Sequence, residues 1–240
     1  MAEYAPWFAR SRTAMPYVTY ESEAAVTLEP SRPATASVIL MHGLGADGYD
    51  FVPIVEELRL PDTLPVRFVF PHARPRPVTI NNGAVMRAWY DIKSLGGNRV
   101  EDDAGIRESA GVVETLIADE AAKGIAAERL VLAGFSQGGA IALHAGLRHS
   151  ARLAGILALS TYLPLRDSIA AEAAEANRKT PILMCHGTQD QVIVRPMASA
   201  SRDILVSLGY AVDWREYPMP HSVSPQEILD ISNWLRAVLK

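Results

Sequence analysis

Short runs of consecutive apolar residues alternate along this chain with longer stretches in which apolar residues recur every three or four positions. Ser37–Met41 (SVILM), Val66–Phe70 (VRFVF), Leu130–Ala133 (LVLA), Gly155–Leu159 (GILAL) and Pro181–Cys185 (PILMC) are of the first kind. Brief runs of this sort, without polar alternation, suit strands that are covered on both faces, as in a parallel sheet. Val212–Tyr217 (VDWREY) does alternate, and predicts a strand nearer the sheet edge.

The longer stretches predict helices. Asp102–Lys123 sets Ile106, Ala110, Val113, Leu116 and Ile117 on one face. Asp102 and Asp103 stand at its positive end, and Gly124 follows as a stop signal. Ala140–Leu147 continues from a glycine-rich turn. Pro196–Leu208 and Pro225–Leu239 each carry a proline in the first turn, and Ser224 is suited to cap the second of them. Strands alternating with helices predict one doubly wound α/β domain with a mostly parallel sheet. We expect residues 1–20 to form an N-terminal arm and residues 21–240 the domain. The proline-rich segment Pro71–Met86 reads as a long loop, and loops of that length tend to be functional.

Composition narrows the setting without changing this plan. A chain of 240 residues buries enough surface to need neither metal nor disulfide for its core. The formal net charge is −4 and no basic run is present, which argues against nucleic acid. Arg74 and Arg76 are interleaved with prolines and read as a solvated loop edge. Cys185 is the single cysteine, so no intrachain disulfide forms. The first twenty residues lack the apolar core of a secretory signal, and no apolar run is long enough to span a membrane. A cytoplasmic location is the resulting expectation.

The chemistry enters at Gly134-Phe135-Ser136-Gln137-Gly138. This G-x-S-x-G pattern arises by chance in roughly one chain in twenty of this length, so its context matters more than its letters. It follows the strand at Leu130–Ala133 and precedes a helix, the setting in which such a turn lifts a serine hydroxyl above a sheet. Side chains at 134 or 138 would collide with the adjoining strand and helix, which explains the glycines. The site then lies at the carboxyl edge of a central strand, where open α/β sheets bind ligands. Ser136 is therefore the expected nucleophile of an α/β-hydrolase, with the backbone N–H of Gln137 directed at the developing oxyanion.

A serine hydroxyl needs a base. On this fold the chain order is Ser, then Asp or Glu, then His. His144 and His149 lie on or just past the helix leaving the turn and precede every acid that could serve. His186 precedes Asp190, reversing the order, and reads as a satisfied residue at a strand end. His221, in a loop between a strand and the last helix, is the base that remains. Asp190 sits just past the strand at Pro181–Cys185 and is favoured over Asp167, at a helix start, and Asp213, inside a strand. A second oxyanion donor is expected from His42-Gly43-Leu44-Gly45, where the glycines let the N–H of Leu44 face the site. No H-E-x-x-H pattern exists, and His144 and His149 do not share a helix face, so a metal site is not expected.

Read together, LMHGLGADGYDF, RPVTINNGAVMRAWYDI, AGFSQGGA, LSTYLP, HGTQDQV and YPMPHSVSP occur in an order and spacing that resembles the phospholipase/carboxylesterase family, from about Val38 to Leu239. The resemblance implies a cofactor-free hydrolase with Ser136, Asp190 and His221 as its triad and Leu44 and Gln137 as oxyanion donors. It implies a carboxylesterase acting on short- to medium-chain carboxylic esters through an acyl-enzyme, with acyl-protein thioesterase or lysophospholipase activity as the alternative. His72 and Arg74 depart from the small or amide residues that the family's pattern has there. Trp89, Tyr162 and Leu163 are candidates to line an apolar acyl groove, or else to be core. The partners expected are a small ester or thioester, no nucleic acid, and at most a weak homodimer. The rival of another class, a non-catalytic scaffold on the same fold, would be marked by loss of Ser, Asp or His, and all three are present.

Overall fold

The computed structural model describes residues 16–94 and 100–240. Their elements are β1 (Tyr17–Glu21), β2 (Ala25–Pro30), β3 (Ala36–Met41), α1 (Ile54–Leu58), β4 (Val66–Pro71), β5 (Pro75–Val78), β6 (Ala84–Arg87), α2 (Asp103–Ala122), β7 (Leu130–Phe135), α3 (Gln137–Arg148), β8 (Gly155–Leu159), α4 (Ile169–Glu172), β9 (Ile182–Gly187), α5 (Arg195–Ser207), β10 (Val212–Tyr217) and α6 (Pro225–Val238). Eight strands form one sheet in the order β1-β2-β4-β3-β7-β8-β9-β10. From β4 to β10 all neighbours are parallel. The β1–β2 and β2–β4 pairs are antiparallel.

This is the doubly wound α/β-hydrolase arrangement, and the strand sequences explain it. Successive residues of β3 enter opposite cores: Ile39 and Met41 pack on the side of α3 residues Ile141 and Leu143, Val38 and Leu40 on the side of α6 residues Ile231 and Leu235. With both faces covered, every position of β3 and β8 is buried, hence the unbroken apolar runs. Ser224 caps α6 as expected: its hydroxyl accepts from the Glu227 N–H at 3.2 Å, while the Glu227 carboxylate accepts from the Ser224 N–H at 3.3 Å. No described helix is long and apolar enough to cross a membrane.

The expected loop at Pro71–Met86 contains a β5–β6 hairpin, paired from Pro75 with Arg87 to Val78 with Ala84. Two prolines, Pro75 and Pro77, hid it, since a proline donates nothing to a ladder; a two-stranded ribbon tolerates that because each strand has one unpaired side. Strand β1 takes up residues from Tyr17, inside the expected arm, and residues 1–15 lie outside the described part. Its mostly exposed positions gave no apolar run to read.

Helix α3 buries His144, whose imidazole is pushed down to about 4, first by burial and then by Arg148 and Arg107. A histidine kept neutral in the native state favours folding fully above its ordinary value of 6.5; that margin is lost as pH falls from there through about 4. The expected loss is roughly 3 kcal/mol by pH 4. Urea midpoints between pH 4 and 7 should fall less steeply for His144→Gln than for the parent chain; parallel curves would show that His144 does not carry the effect.

Candidate active site

Five loops leave the sheet at one edge. Register places the ends of β3, β7, β8, β9 and β10 side by side, with Met41 beside Gly134, Phe135 beside Leu159, Leu159 beside Cys185 and Gly187 beside Tyr217. His42 to Gly48, Ser136, Thr161 to Leu163, Asp190 and His221 follow these ends, so residues distant in sequence converge on one rim.

Ser136 occupies the turn between β7 and α3 with φ +54° and ψ −118°, a conformation that side chains rarely adopt. Its N–H donates to the Leu159 carbonyl at 2.8 Å, and its own carbonyl accepts from the Thr161 hydroxyl at 2.6 Å. The flanking glycines are sterically required. A Cβ at Gly134 would lie 2.3 Å from the Gly138 backbone, and one at Gly138 would lie 2.2 Å from the Met41 carbonyl oxygen.

The His221 ring packs on Phe135, the residue before the serine, with centroids 4.7 Å apart. Its Nδ1 lies 2.7 Å from Asp190 Oδ2. A carboxylate only accepts, so Nδ1 carries a proton, and in the neutral ring Nε2 is the nitrogen with the lone pair. Asp190 is fixed in turn, its Oδ1 accepting from the N–H groups of Val192 at 2.8 Å and Ile193 at 2.9 Å. The competing residues have other partners, although His186 Nε2 also lies 3.7 Å from Asp190 Oδ2. Asp167 is fully exposed, and Asp213 pairs with Arg215. His149 bonds Glu114. His186 Nε2 donates to the Ile193 carbonyl at 2.8 Å, and its ring stacks on Trp214. Burial pushes the Cys185 thiol up, which leaves it inert as a rival nucleophile.

Among the described residues, the backbone N–H groups of Leu44 and Gln137 donate to no other group. The Leu44 loop is close: a Cβ on Gly43 would stand 3.6 Å from Ser136 Cβ. Gln137 opens α3, where first-turn N–H groups lack helical partners. Two unspent donors thus stand on the segments next to the serine.

The three candidate groove residues are all buried, with Trp89 at 2%, Tyr162 at 6% and Leu163 at 4% exposure. The Trp89 N–H donates to Gln137 Oε1 at 2.8 Å, and Gln137 Nε2 donates to the Tyr90 carbonyl at 2.7 Å. The Trp89 indole N–H also donates to the His42 carbonyl at 2.9 Å. Trp89 therefore ties α3, the helix that follows Ser136, to the Leu44 loop. The Tyr162 and Tyr90 hydroxyls lie 2.6 Å apart, and the Leu163 N–H donates to the Ser201 hydroxyl at 2.9 Å. Sequence reasoning missed the side-chain role of Gln137 and the part played by His42. The polar Gln137 inside a turn bounded by glycines was the one available signal, and nothing local said what it would bond.

A family model described as phospholipase/carboxylesterase matches residues 22–239. An acyl-protein thioesterase 1 of Yarrowia lipolytica is 41% identical over 90% of this chain and 97% of its own length. One from Gibberella zeae is 42% identical over 85% of this chain and 91% of its own. The crystal structure of Arabidopsis thaliana SOBER1 superposes with a TM-score of 0.81 at 33% identity, covering 85% of this chain and 99% of that one.

Proposed function

The chain belongs to the phospholipase/carboxylesterase family, and from that premise we propose that it hydrolyses acyl esters through Ser136, with S-acyl thioesters of proteins or peptides as the preferred class. The observation that carries the chemistry is the 2.7 Å bond from His221 Nδ1 to Asp190, set beside a serine at φ +54°. Preference for thioesters is supported by the 41% and 42% identity to two acyl-protein thioesterases.

In this reading Ser136 Oγ attacks the acyl carbonyl carbon while His221 Nε2 takes the hydroxyl proton. The N–H groups of Leu44 and Gln137 receive the oxyanion, each worth about 3 kcal/mol in the transition state. Collapse breaks the bond to sulfur or oxygen, and the leaving group takes the proton from His221. Water then attacks the acyl-enzyme with His221 again as base, which releases the carboxylic acid and restores Ser136. Asp190 holds the imidazole tautomer and stabilises the imidazolium.

The test is a matched series of oxyesters and thioesters from acetyl to palmitoyl, including an S-acylated peptide, alongside labelling of Ser136 by a fluorophosphonate. We expect labelling, and turnover of the acylated peptide with kcat/KM above that for the matched oxyester. Activity confined to short oxyesters would reduce the reading to a simple carboxylesterase. Absence of both labelling and turnover would leave a binding scaffold.

A further inference from the structure

Two loops meet beside Leu44: residues 42–48, which follow β3, and residues 71–74, at the end of β4. Each lends an imidazole to the backbone of the other. His42 Nε2 accepts from the Ala73 N–H at 3.1 Å, and His72 Nδ1 accepts from the Gly48 N–H at 3.0 Å. His42 keeps its proton on Nδ1, which donates to the Gly43 carbonyl at 2.7 Å. A backbone N–H can only donate, so both accepting nitrogens must keep their lone pairs.

Leu44 lies between the two anchor points, and neighbouring bonds close the frame. The Gly45 N–H donates to the Arg87 carbonyl at 2.9 Å, and the Arg87 guanidinium donates to the Ala73 carbonyl at 2.9 Å. The approach at Gly48 is tight: a Cβ there would stand 2.4 Å from the Phe70 carbonyl oxygen and 3.0 Å from the His72 ring. The backbone here is closely packed, and each imidazole satisfies an N–H of the opposite loop.

We propose that His42 and His72 are positioning residues that form a reciprocal, proton-labile staple, holding the Leu44 N–H towards the acyl oxygen and releasing it when either ring is protonated. The proposal rests on the reading of Ser136 and Leu44 given above. Burial is the main cause that favours the stapled form at neutral pH, against the bond from His42 to the Gly43 carbonyl, which favours the charged ring. Burial lowers both imidazoles, and Arg87 lowers them further, as does His72 acting on His42. Asp47 opposes at both rings, and Glu21 of β1 opposes at His72, without reversing the direction. With both rings below the ordinary histidine value, the staple is intact at neutral pH and opens as pH falls below that range.

His72 is only half-buried, so it can be replaced without opening the core. His72→Leu leaves the Gly48 N–H without its acceptor, whereas His72→Asn returns an amide oxygen that does not take up a proton in this range. The experiment measures kcat and KM for a small acyl thioester from pH 4.5 to 8.5, with Ser136→Ala as the control. At pH 8, His72→Leu is expected to lose about tenfold in kcat with KM little changed, as a slightly misplaced donor would cause, and His72→Asn to recover most of that loss. The acid limb of kcat should lie at lower pH for His72→Asn than for the parent, because one of the two acid-sensitive bonds is gone. A leucine variant with parental kcat and an unshifted acid limb, or an asparagine variant no better than leucine, overturns the staple while leaving Ser136 in place. A Ser136→Ala control as active as the parent overturns the nucleophile assignment and the staple with it.

Discussion

Ser136→Ala is expected to lower kcat towards an activated acyl thioester by about 10⁶-fold, the scale seen when the nucleophile of a serine triad is removed. Two other nucleophile types among the described residues, a thiol and a hydroxyl, are committed elsewhere. Cys185 is buried beneath the sheet edge with its thiol pushed up, and Thr161, the closest hydroxyl in the bonding network, spends its proton on the Ser136 carbonyl at 2.6 Å. The serine's own conformation makes a second readout available. A residue at φ +54° with a Cβ stores about 1–3 kcal/mol of backbone strain. Alanine keeps the Cβ and therefore the strain, so the alanine variant should melt close to the parent. Ser136→Gly removes both hydroxyl and Cβ, and should be equally inactive yet more stable by about 1 kcal/mol. Loss of activity with an unchanged melt for alanine and a raised one for glycine separates a chemical role from a folding role. An alanine variant that keeps even a tenth of parental kcat is incompatible with Ser136 as nucleophile.

For Asp190→Asn, a fall of about 10⁴ in kcat is expected. The geometry makes this substitution unusually informative. Asp190 Oδ1 accepts from two N–H groups of its own loop, those of Val192 and Ile193. An asparagine satisfies them only with its carbonyl oxygen, which turns its NH₂ towards His221. Donation to Nδ1 then forces the imidazole proton onto Nε2, and the ring can no longer accept from Ser136. The loop itself loses nothing, so thermal stability should change little while turnover collapses. Steady-state kinetics paired with a melting curve test this; a variant within tenfold of the parent would mean that Asp190 does not set the His221 tautomer.

The parts of this protein that were legible in its sequence are those written locally. Buried parallel strands announce themselves as unbroken apolar runs because both faces of β3, β7 and β8 are covered. The turn at Ser136 is legible because glycines at 134 and 138 answer a steric demand within five residues. The order Ser136, Asp190, His221 is legible because parallel winding sends each strand's exit to the same edge. Edge elements were harder. Strand β1 is mostly exposed, and the β5 prolines read as loop, since neither buries an apolar face that would mark its pattern.

Other features depend on partners far away in the chain. Trp89 was a candidate for the substrate groove or the core on its own letters. Its bond to Gln137, 48 residues on, makes it a brace for the helix that follows Ser136. The same holds for His42 and His72, whose ring nitrogens find backbone N–H groups 31 and 24 residues distant. The sequence by itself determined the residues available for the proposed chemistry: a serine in a glycine-bounded turn, an acid and a histidine in an order that one fold makes adjacent. Only the tertiary structure decided which polar residues hold that chemistry in place, because a hydrogen-bond acceptor's partner is a matter of distance in space and leaves no periodic trace along the chain.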